Sequence, residues 1–261
     1  MLTDPRSEKV KGISRLNQKD ARYETGLFLL EGFQGLREIV DYPDLIEEIL
    51  VTEAALSEHS ELFAGVQSKV TLVSDRVLDK IADTRTPQGV VTVAHQLDVD
   101  IELVISNKPK LVAVLDQIRD PGNAGTVLRA ADAAGADAVI FSKESVDLYN
   151  PKTVRSTAGS LFHLPIVVEA DIDHALAQLR EAGLQILAAA GMGESILGID
   201  SLAEPTAWVF GNEAHGVTDR TLELADKVVA LPIFGAAESL NLATAASVCL
   251  YQSAFRQNPS R

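Results

Sequence analysis

Val228-Val229-Ala230-Leu231-Pro232-Ile233-Phe234-Gly235-Ala236-Ala237-Glu238-Ser239-Leu240-Asn241-Leu242-Ala243-Thr244-Ala245-Ala246 is the stretch from which the chain is best read. It opens as an apolar strand, predicted over Val228 to Ile233. Pro232 cannot donate to a sheet ladder, so the strand should end or reach an edge there. Gly235 and two alanines make a bend with little side-chain bulk. Ser239 is the N-cap candidate, and Leu240 to Phe255 reads as a helix rich in Ala and Leu. Strand, small-residue loop and helix leave free backbone N–H and C=O groups beside a groove, where a flat, polar-edged ligand can sit.

Two other stretches have the same form. Leu111 to Phe141 holds an apolar strand followed by Arg119-Asp120-Pro121-Gly122-Asn123-Ala124-Gly125-Thr126-Val127-Leu128-Arg129. Ala207-Trp208-Val209-Phe210 is a strand followed by Gly211-Asn212-Glu213-Ala214-His215-Gly216-Val217. Each runs strand, glycine-containing turn, helix start. Ligands of open α/β sheets collect outside the carboxyl ends of the strands.

Together the three stretches resemble the three motifs of the SpoU (TrmH-type) RNA ribose methyltransferases of the SPOUT class, in the family's order and spacing. Asn123-x-Gly125-x-x-x-Arg129 resembles the first motif and Gly211-Asn212-Glu213-x-x-Gly216 the second. Leu231-Pro232 with Ser239-Leu240-Asn241 resembles the third. The resemblance implies an α/β fold whose C-terminal parallel-sheet SPOUT domain carries a trefoil knot at the cofactor cleft. It implies S-adenosylmethionine as methyl donor, RNA as substrate, and a homodimer whose two chains complete each site. The Ala-rich last helix, Leu242 to Ala254, offers a small-residue face for such a partner copy; packing on its own sheet is the other reading.

Residue roles follow from the same match. Gly211, Leu231 and Leu240 fall on donor-binding positions, with Ile233, Ala190, Gly191 and Met192 as further lining candidates. Arg129 is the leading catalytic candidate. The family's matching arginine is often assigned as the base for the 2′-hydroxyl, yet a guanidinium with a pKa above ~12 is better suited to stabilising an alkoxide or steering a phosphate. Asn123 is a helix N-cap, or an RNA ligand as well. Glu213 pairs with Arg129 or holds the loop. Ser239 and Asn241 are expected near the donor and the ribose, and His215 is read as bystander surface. One departure is Ala243-Thr244-Ala245, where many members carry a Val-Ser pair; it changes packing more than chemistry.

The chain of 261 residues is long enough for two domains. Repeated short strand–helix units specify α/β layers in both, with a mostly parallel sheet in the second. A small N-terminal α/β substrate-binding domain is assigned to residues 1–95, a polar linker to 96–110 and the SPOUT domain to 111–261. Cations crowd the first segment: Lys11, Arg15, Lys19 and Arg22 recur at helical spacing within a helix predicted over Val10 to Tyr23. They form either an RNA-contacting patch or a solvated face. Leu16-x-x-Lys19-x-x-Arg22, followed by Gly26-Leu27-Phe28-Leu29-Leu30-Glu31-Gly32, resembles the ribosomal-protein-like RNA-binding domain of ribosomal-RNA members.

The net charge of −14 argues against a uniformly basic RNA-gripping surface. No apolar run spans a bilayer, Met1 to Arg6 lacks a signal-peptide core, and the single Cys249 forms no internal disulfide. A cytoplasmic location is expected, and Cys249 is read as core. No metal-ligand spacing occurs, nor a Gly-x-Gly-x-x-Gly after the first strand of either domain, nor a Walker-type Gly-Lys-Ser/Thr. The expected activity is S-adenosylmethionine-dependent 2′-O-methylation of RNA, ribosomal RNA first. A tRNA ribose methyltransferase and a non-catalytic RNA-binding protein on the same fold are the alternatives; the presence of Arg129 and Asn241 counts against the latter. A nucleotide-dependent oxidoreductase lacks its glycine fingerprint.

Overall fold

The structure, a computed structural model, describes residues 1–259. The chain opens with α1 (Glu8–Ser14), α2 (Lys19–Thr25), β1 (Leu27–Glu31), α3 (Gly32–Ile39), β2 (Ile46–Val51), α4 (Glu53–Glu58), β3 (Val70–Leu72), α5 (Asp75–Ile81) and β4 (Val90–His95). It continues through α6 (Ile101–Ser106), β5 (Leu111–Leu115), α7 (Pro121–Ala133), β6 (Ala138–Ser142), α8 (Pro151–Thr157), β7 (Ile166–Ala170) and α9 (Ile172–Glu181). It closes with β8 (Gln185–Ser195), β9 (Thr206–Phe210), α10 (Asp219–Leu224), β10 (Lys227–Ala230) and α11 (Leu242–Gln257). Two compact units result: Met1–Leu97 with Asp147–Phe162, and Asp98–Val146 with His163–Arg261.

The first unit is built on a sheet of order β1-β4-β2-β3. Leu29, Leu50, Val91 and Val93 of its strands pack with Val77, Leu78 and Ile81 of α5 and with Val10 of α1. The single helix expected over Val10 to Tyr23 is broken. Arg15–Asn17 is a 3₁₀ turn and Gln18 is extended (φ −102°, ψ 138°), so the four cations do not share one helix face. Arg22 is 2% exposed, which removes it from any surface patch. Its guanidinium donates to Asp147 Oδ2 (Nε 2.9 Å, Nη2 2.5 Å) and to the Leu16 carbonyl (2.7 Å). Lys11, Arg15 and Lys19 remain exposed; Lys11 pairs with Glu8 (2.7 Å) and Arg15 with Glu24 (3.5 Å).

The Lys152–Phe162 stretch, expected in the C-terminal domain, clusters with this first unit. Tyr149 packs on Phe28 (4.9 Å between centroids) and its hydroxyl accepts the Leu97 N–H (2.8 Å). Arg155 of α8 pairs with Glu31 (3.3 Å) and Asp83 (2.8 Å).

The second unit is a six-stranded sheet of order β10-β8-β9-β5-β6-β7, parallel throughout. All five residues of β5 are buried, as are those of β6 and β9; burial on both faces is why these strands read as unbroken apolar runs. Val112, Val114, Ile140, Ile186 and Val209 meet Leu176 and Leu179 of α9 in one core. Each such side chain contributes roughly 1.5–3 kcal/mol on burial. The wholly buried Trp208 donates its indole N–H to Ser253 Oγ of α11 (2.9 Å). The stretch 96–110, expected as linker, contains α6, whose Val104 is buried in this core. Among the described residues no helix is long and apolar enough to cross a membrane.

Two strand ends depart from expectation where they meet. β10 stops at Ala230, short of Ile233, while β8 runs on through Ala190-Gly191-Met192-Gly193. In the register between them, Val228 faces Ala188 but Val229 faces Glu194, so β8 leaves β10 over Ala189–Gly193 and returns. Gly193 stands at the return. A Cβ there would lie 2.5 Å from the Val228 carbonyl carbon and the Val229 nitrogen, so only glycine lets the backbones close again.

Candidate functional site

The segment Ala189–Met192 of β8, the residues that follow β9 and β10 and the start of α11 surround a cavity of about 920 Å³. Ala190, Gly191 and Met192 line it from the segment of β8 that departs from β10. Gly211 and Glu213 line it after β9, Leu231 and Ile233 after β10, and Ser239, Leu240 and Asn241 before α11. Asn123 enters from α7. Every predicted site residue of the second unit except Arg129 therefore lines one cavity. Arg129 lies exposed on α7, outside the cavity wall, and makes no hydrogen bond or ion pair among the described residues.

Three side chains tie the three loops together. Asn241 Nδ2 donates to Asn123 Oδ1 (3.0 Å), and Asn123 Nδ2 donates to Glu213 Oε1 (3.1 Å). Glu213 also accepts the backbone N–H groups of Arg119 (3.2 Å) and Asp120 (3.1 Å). Of the two roles expected for Glu213, the geometry supports holding the loop; it does not pair with Arg129. Asp120, not Asn123, caps α7, its Oδ1 accepting the Asn123 N–H (2.8 Å) with Pro121 in the first turn. Asn241, not Ser239, caps α11, accepting from Ala243 (2.9 Å) and Thr244 (3.3 Å). The helix consequently starts at Leu242 rather than Leu240.

Burial raises the Glu213 carboxyl pKa, but the bonds from its own backbone, Asn123, Arg119 and Asp120 together outweigh it and hold the group below its ordinary value. A lowered folded-state pKa adds stability that is present above the unfolded value and lost as pH falls through the folded one. Between about pH 3 and 6, the wild type is therefore expected to lose more thermal stability than Glu213→Gln, which keeps an acceptor but has no carboxyl to titrate. Melting curves across that range test this; parallel curves would refute it.

Gly211 is fixed by close backbone approach. A Cβ there would lie 2.1 Å from the Val217 nitrogen and 2.3 Å from the Gly216 carbonyl carbon. Asn212 and Gly216 exchange backbone hydrogen bonds (2.9 and 2.8 Å) across the same turn. Gly211→Ala must displace backbone rather than a flexible side chain, and is expected to cost about 1–3 kcal/mol in thermal or denaturant unfolding. A change below about 0.5 kcal/mol would show that the turn yields freely.

Sequence reasoning missed several parts. His215, read as a bystander, lines the cavity. Its N–H, like that of Ala214, donates to Asn212 Oδ1 (3.3 and 2.9 Å). Gln117, at φ +55°, gives its carbonyl to Asn212 Nδ2 (2.8 Å), a strained link that no side-chain pattern announces. Cys249 is 1% exposed, as expected of core, yet borders the cavity floor; burial pushes its thiol up to about 12, so it stays protonated.

The SpoU rRNA Methylase family model matches residues 110–251, and the MRM3-like substrate binding domain model matches residues 7–92. The chain is 34% identical over 250 residues to the 23S rRNA (guanosine(2553)-2′-O)-methyltransferase RlmP of Bacillus subtilis, covering 96% of this chain and 97% of that one. It is 30% identical over 255 residues to the 23S rRNA (uridine(2479)-2′-O)-methyltransferase of Streptomyces viridochromogenes, covering 94% and 88%. Among solved structures, the AdoMet-bound rRNA methyltransferase from Sinorhizobium meliloti superposes with a TM-score of 0.84 at 30% identity, over 97% of this chain and 96% of that one.

Proposed function

Because the chain belongs to the SpoU rRNA methylase family, we propose that it transfers the methyl group of S-adenosylmethionine to a ribose 2′-hydroxyl of 23S ribosomal RNA. One observation carries this reading: Glu213, Asn123 and Asn241, one from each motif, are hydrogen-bonded in series at the wall of a single cavity. The relatives that act on 23S rRNA and the AdoMet-bound neighbour support the substrate and the donor.

The cavity suits the donor. A Cβ at Gly191 would meet nothing within 4 Å, so the glycine leaves that wall open where a side chain would intrude. Leu231, Ile233 and Leu240 supply apolar surface for an adenine, and the loop segments around Gly191 and Gly211 supply backbone groups for its edges. When bound, S-adenosylmethionine supplies an electrophilic methyl group on a sulfonium. Asn123 and Asn241 hold the loops that frame the ribose, and Ser239 offers a hydroxyl at the same rim. Arg129 acts as a fixed cation for the alkoxide that forms as the hydroxyl proton passes to solvent water, because a guanidinium stays protonated.

Exposure of Arg129 outside its own cavity supports a homodimer in which it serves the cavity of the second copy. The first unit is the RNA-binding unit. Exposed pairs such as Lys11–Glu8 and Arg15–Glu24 are worth little and can be exchanged for phosphates, so Lys11, Arg15 and Lys19 stay available to RNA. The test is transfer of labelled methyl from S-adenosylmethionine to unmodified 23S rRNA, with tRNA in parallel. Label that survives base removal, on ribosomal RNA alone, is the expected result. Label on tRNA alone overturns the substrate, and absence of donor binding overturns the activity.

A further inference from the structure

The first unit holds a second cavity, of about 290 Å³, that shares no lining residue with the first. Leu30 and Val154 give it apolar wall; Gln34, Thr86, Gln88 and Arg155 give it polar wall. Its frame is fixed by side chains rather than left loose. Glu31, its side chain 5% exposed, accepts from the Asp83 and Thr84 N–H groups (2.9 and 3.2 Å), the Thr84 hydroxyl (2.7 Å) and Arg155 (3.3 Å). Arg155 is gripped at its other nitrogen by Asp83 (2.8 Å), so its guanidinium plane is set while about a third of the side chain stays exposed. Gln88 Oε1 accepts the Phe33 N–H (3.0 Å), which fixes that amide. Gly32 (φ +84°) and Gly159 (φ +102°) let the walls close: a Cβ would lie 2.7 Å from Gln88 Oε1 at the first and 2.5 Å from Glu38 Cγ at the second.

Two exposed cations lie beside the same place. Arg85, between the lining residues Thr84 and Thr86, is exposed and has no partner among the described residues. The same holds for Arg37, one helical turn beyond Gln34 on α3.

We propose that this cavity is a recognition subsite for one unstacked base of the RNA substrate; the inference rests on the RNA reading above. Single-stranded bases are held by stacking on aromatic rings or arginine planes and by hydrogen bonds along their edges. Arg155 supplies the plane, Gln88 Nε2 a donor and Gln34 Oε1 an acceptor, the other atom of each amide being held by the Phe33 N–H (3.0 Å) and by Glu38 (3.3 Å), and the volume admits a single nucleoside. Arg85 and Arg37 face the flanking phosphates. None of these residues lines the donor cavity, so the base bound here is recognised rather than methylated.

The test measures binding of an unmodified 23S rRNA transcript, and the KM for that transcript, with Arg85→Ala, Gln34→Trp and Gln34→Ala. Gln34 is exposed on its helix, so the Trp variant plugs the cavity without entering a core; Gln34→Ala removes the amide alone. Arg85→Ala is expected to weaken binding about 3- to 10-fold and to lower the salt slope by about one. Gln34→Trp is expected to weaken it at least about tenfold and Gln34→Ala less, the loss of one edge contact. Donor binding and melting temperature stay at wild-type values in all three. Wild-type binding by both Gln34 variants overturns the subsite, whatever Arg85→Ala does. If the wild type neither binds nor methylates the transcript, the RNA reading itself fails.

Discussion

Asp147→Ala is expected to destabilise the protein by about 3–5 kcal/mol, the range for breaking a buried ion pair by removing one partner. Arg22 and Asp147 have side chains 2% and 7% exposed, and two of the three hydrogen bonds from the guanidinium end on Asp147. Without that carboxylate the buried cation keeps only the Leu16 carbonyl. At about 2–4 °C per kcal/mol for a chain of this size, melting should fall by roughly 6–20 °C. The penalty belongs to the stranded charge, not to the pair. Combining Asp147→Ala with Arg22→Met should therefore recover a large part of the loss. A single-variant loss below about 1 kcal/mol, or a double variant no better than the single, would mean that water reaches Arg22 in the folded protein.

Arg129→Ala is expected to lower kcat about 10²- to 10³-fold, the effect of removing one preorganised group that stabilises developing charge. Because Arg129 is exposed and unpartnered among the described residues, stability should change by less than about 0.5 kcal/mol. Donor affinity should stay at its wild-type value, since Arg129 does not line the cavity. Arg129→Lys keeps the charge but not the planar fork and should recover only part of the rate. Loss of donor binding together with kcat would instead make Arg129 a structural support of the cavity. Mixed dimers offer a sharper reading. If Arg129 serves the second copy's cavity, co-expressed Arg129→Ala and Gly211→Ala chains regain activity that neither shows alone.

What the sequence makes legible is short-range. β5 and β9 are readable because strands buried on both faces appear as apolar runs. The cap of α11 lies two residues beyond its expected place because Ser239 and Asn241 are both good capping types. The choice between them is made by Asn123, 118 residues away, which Asn241 also reaches. The N-terminal cations recur at helical spacing, yet Gln18 is extended and Arg22 turns inward to Asp147, 125 residues on. The departure of β8 from β10 leaves no trace in apolar patterning, because Gly193 acts through a backbone contact with Val228 and Val229. The cavity-lining residues surface only through the motif resemblance. Arg129 surfaces the same way, although nothing in its own helix distinguishes it from a surface arginine.

The first unit is discontinuous in sequence, and this has a consequence for the order in which it can be completed during synthesis. When residue 97 has left the ribosome, all four of its strands exist, but Arg22 has no counter-ion, Phe28 has no Tyr149 against it, and Glu31 lacks Arg155. These arrive only after the nascent chain has extruded residues 98–146, which carry β5, α7 and β6 of the other unit. The early product is thus a sheet with an open flank that must wait about fifty residues for its closing piece, a few seconds at ordinary elongation rates. The two units mature in alternation rather than in succession, and a chain cut after Leu97 would stay in the unclosed state.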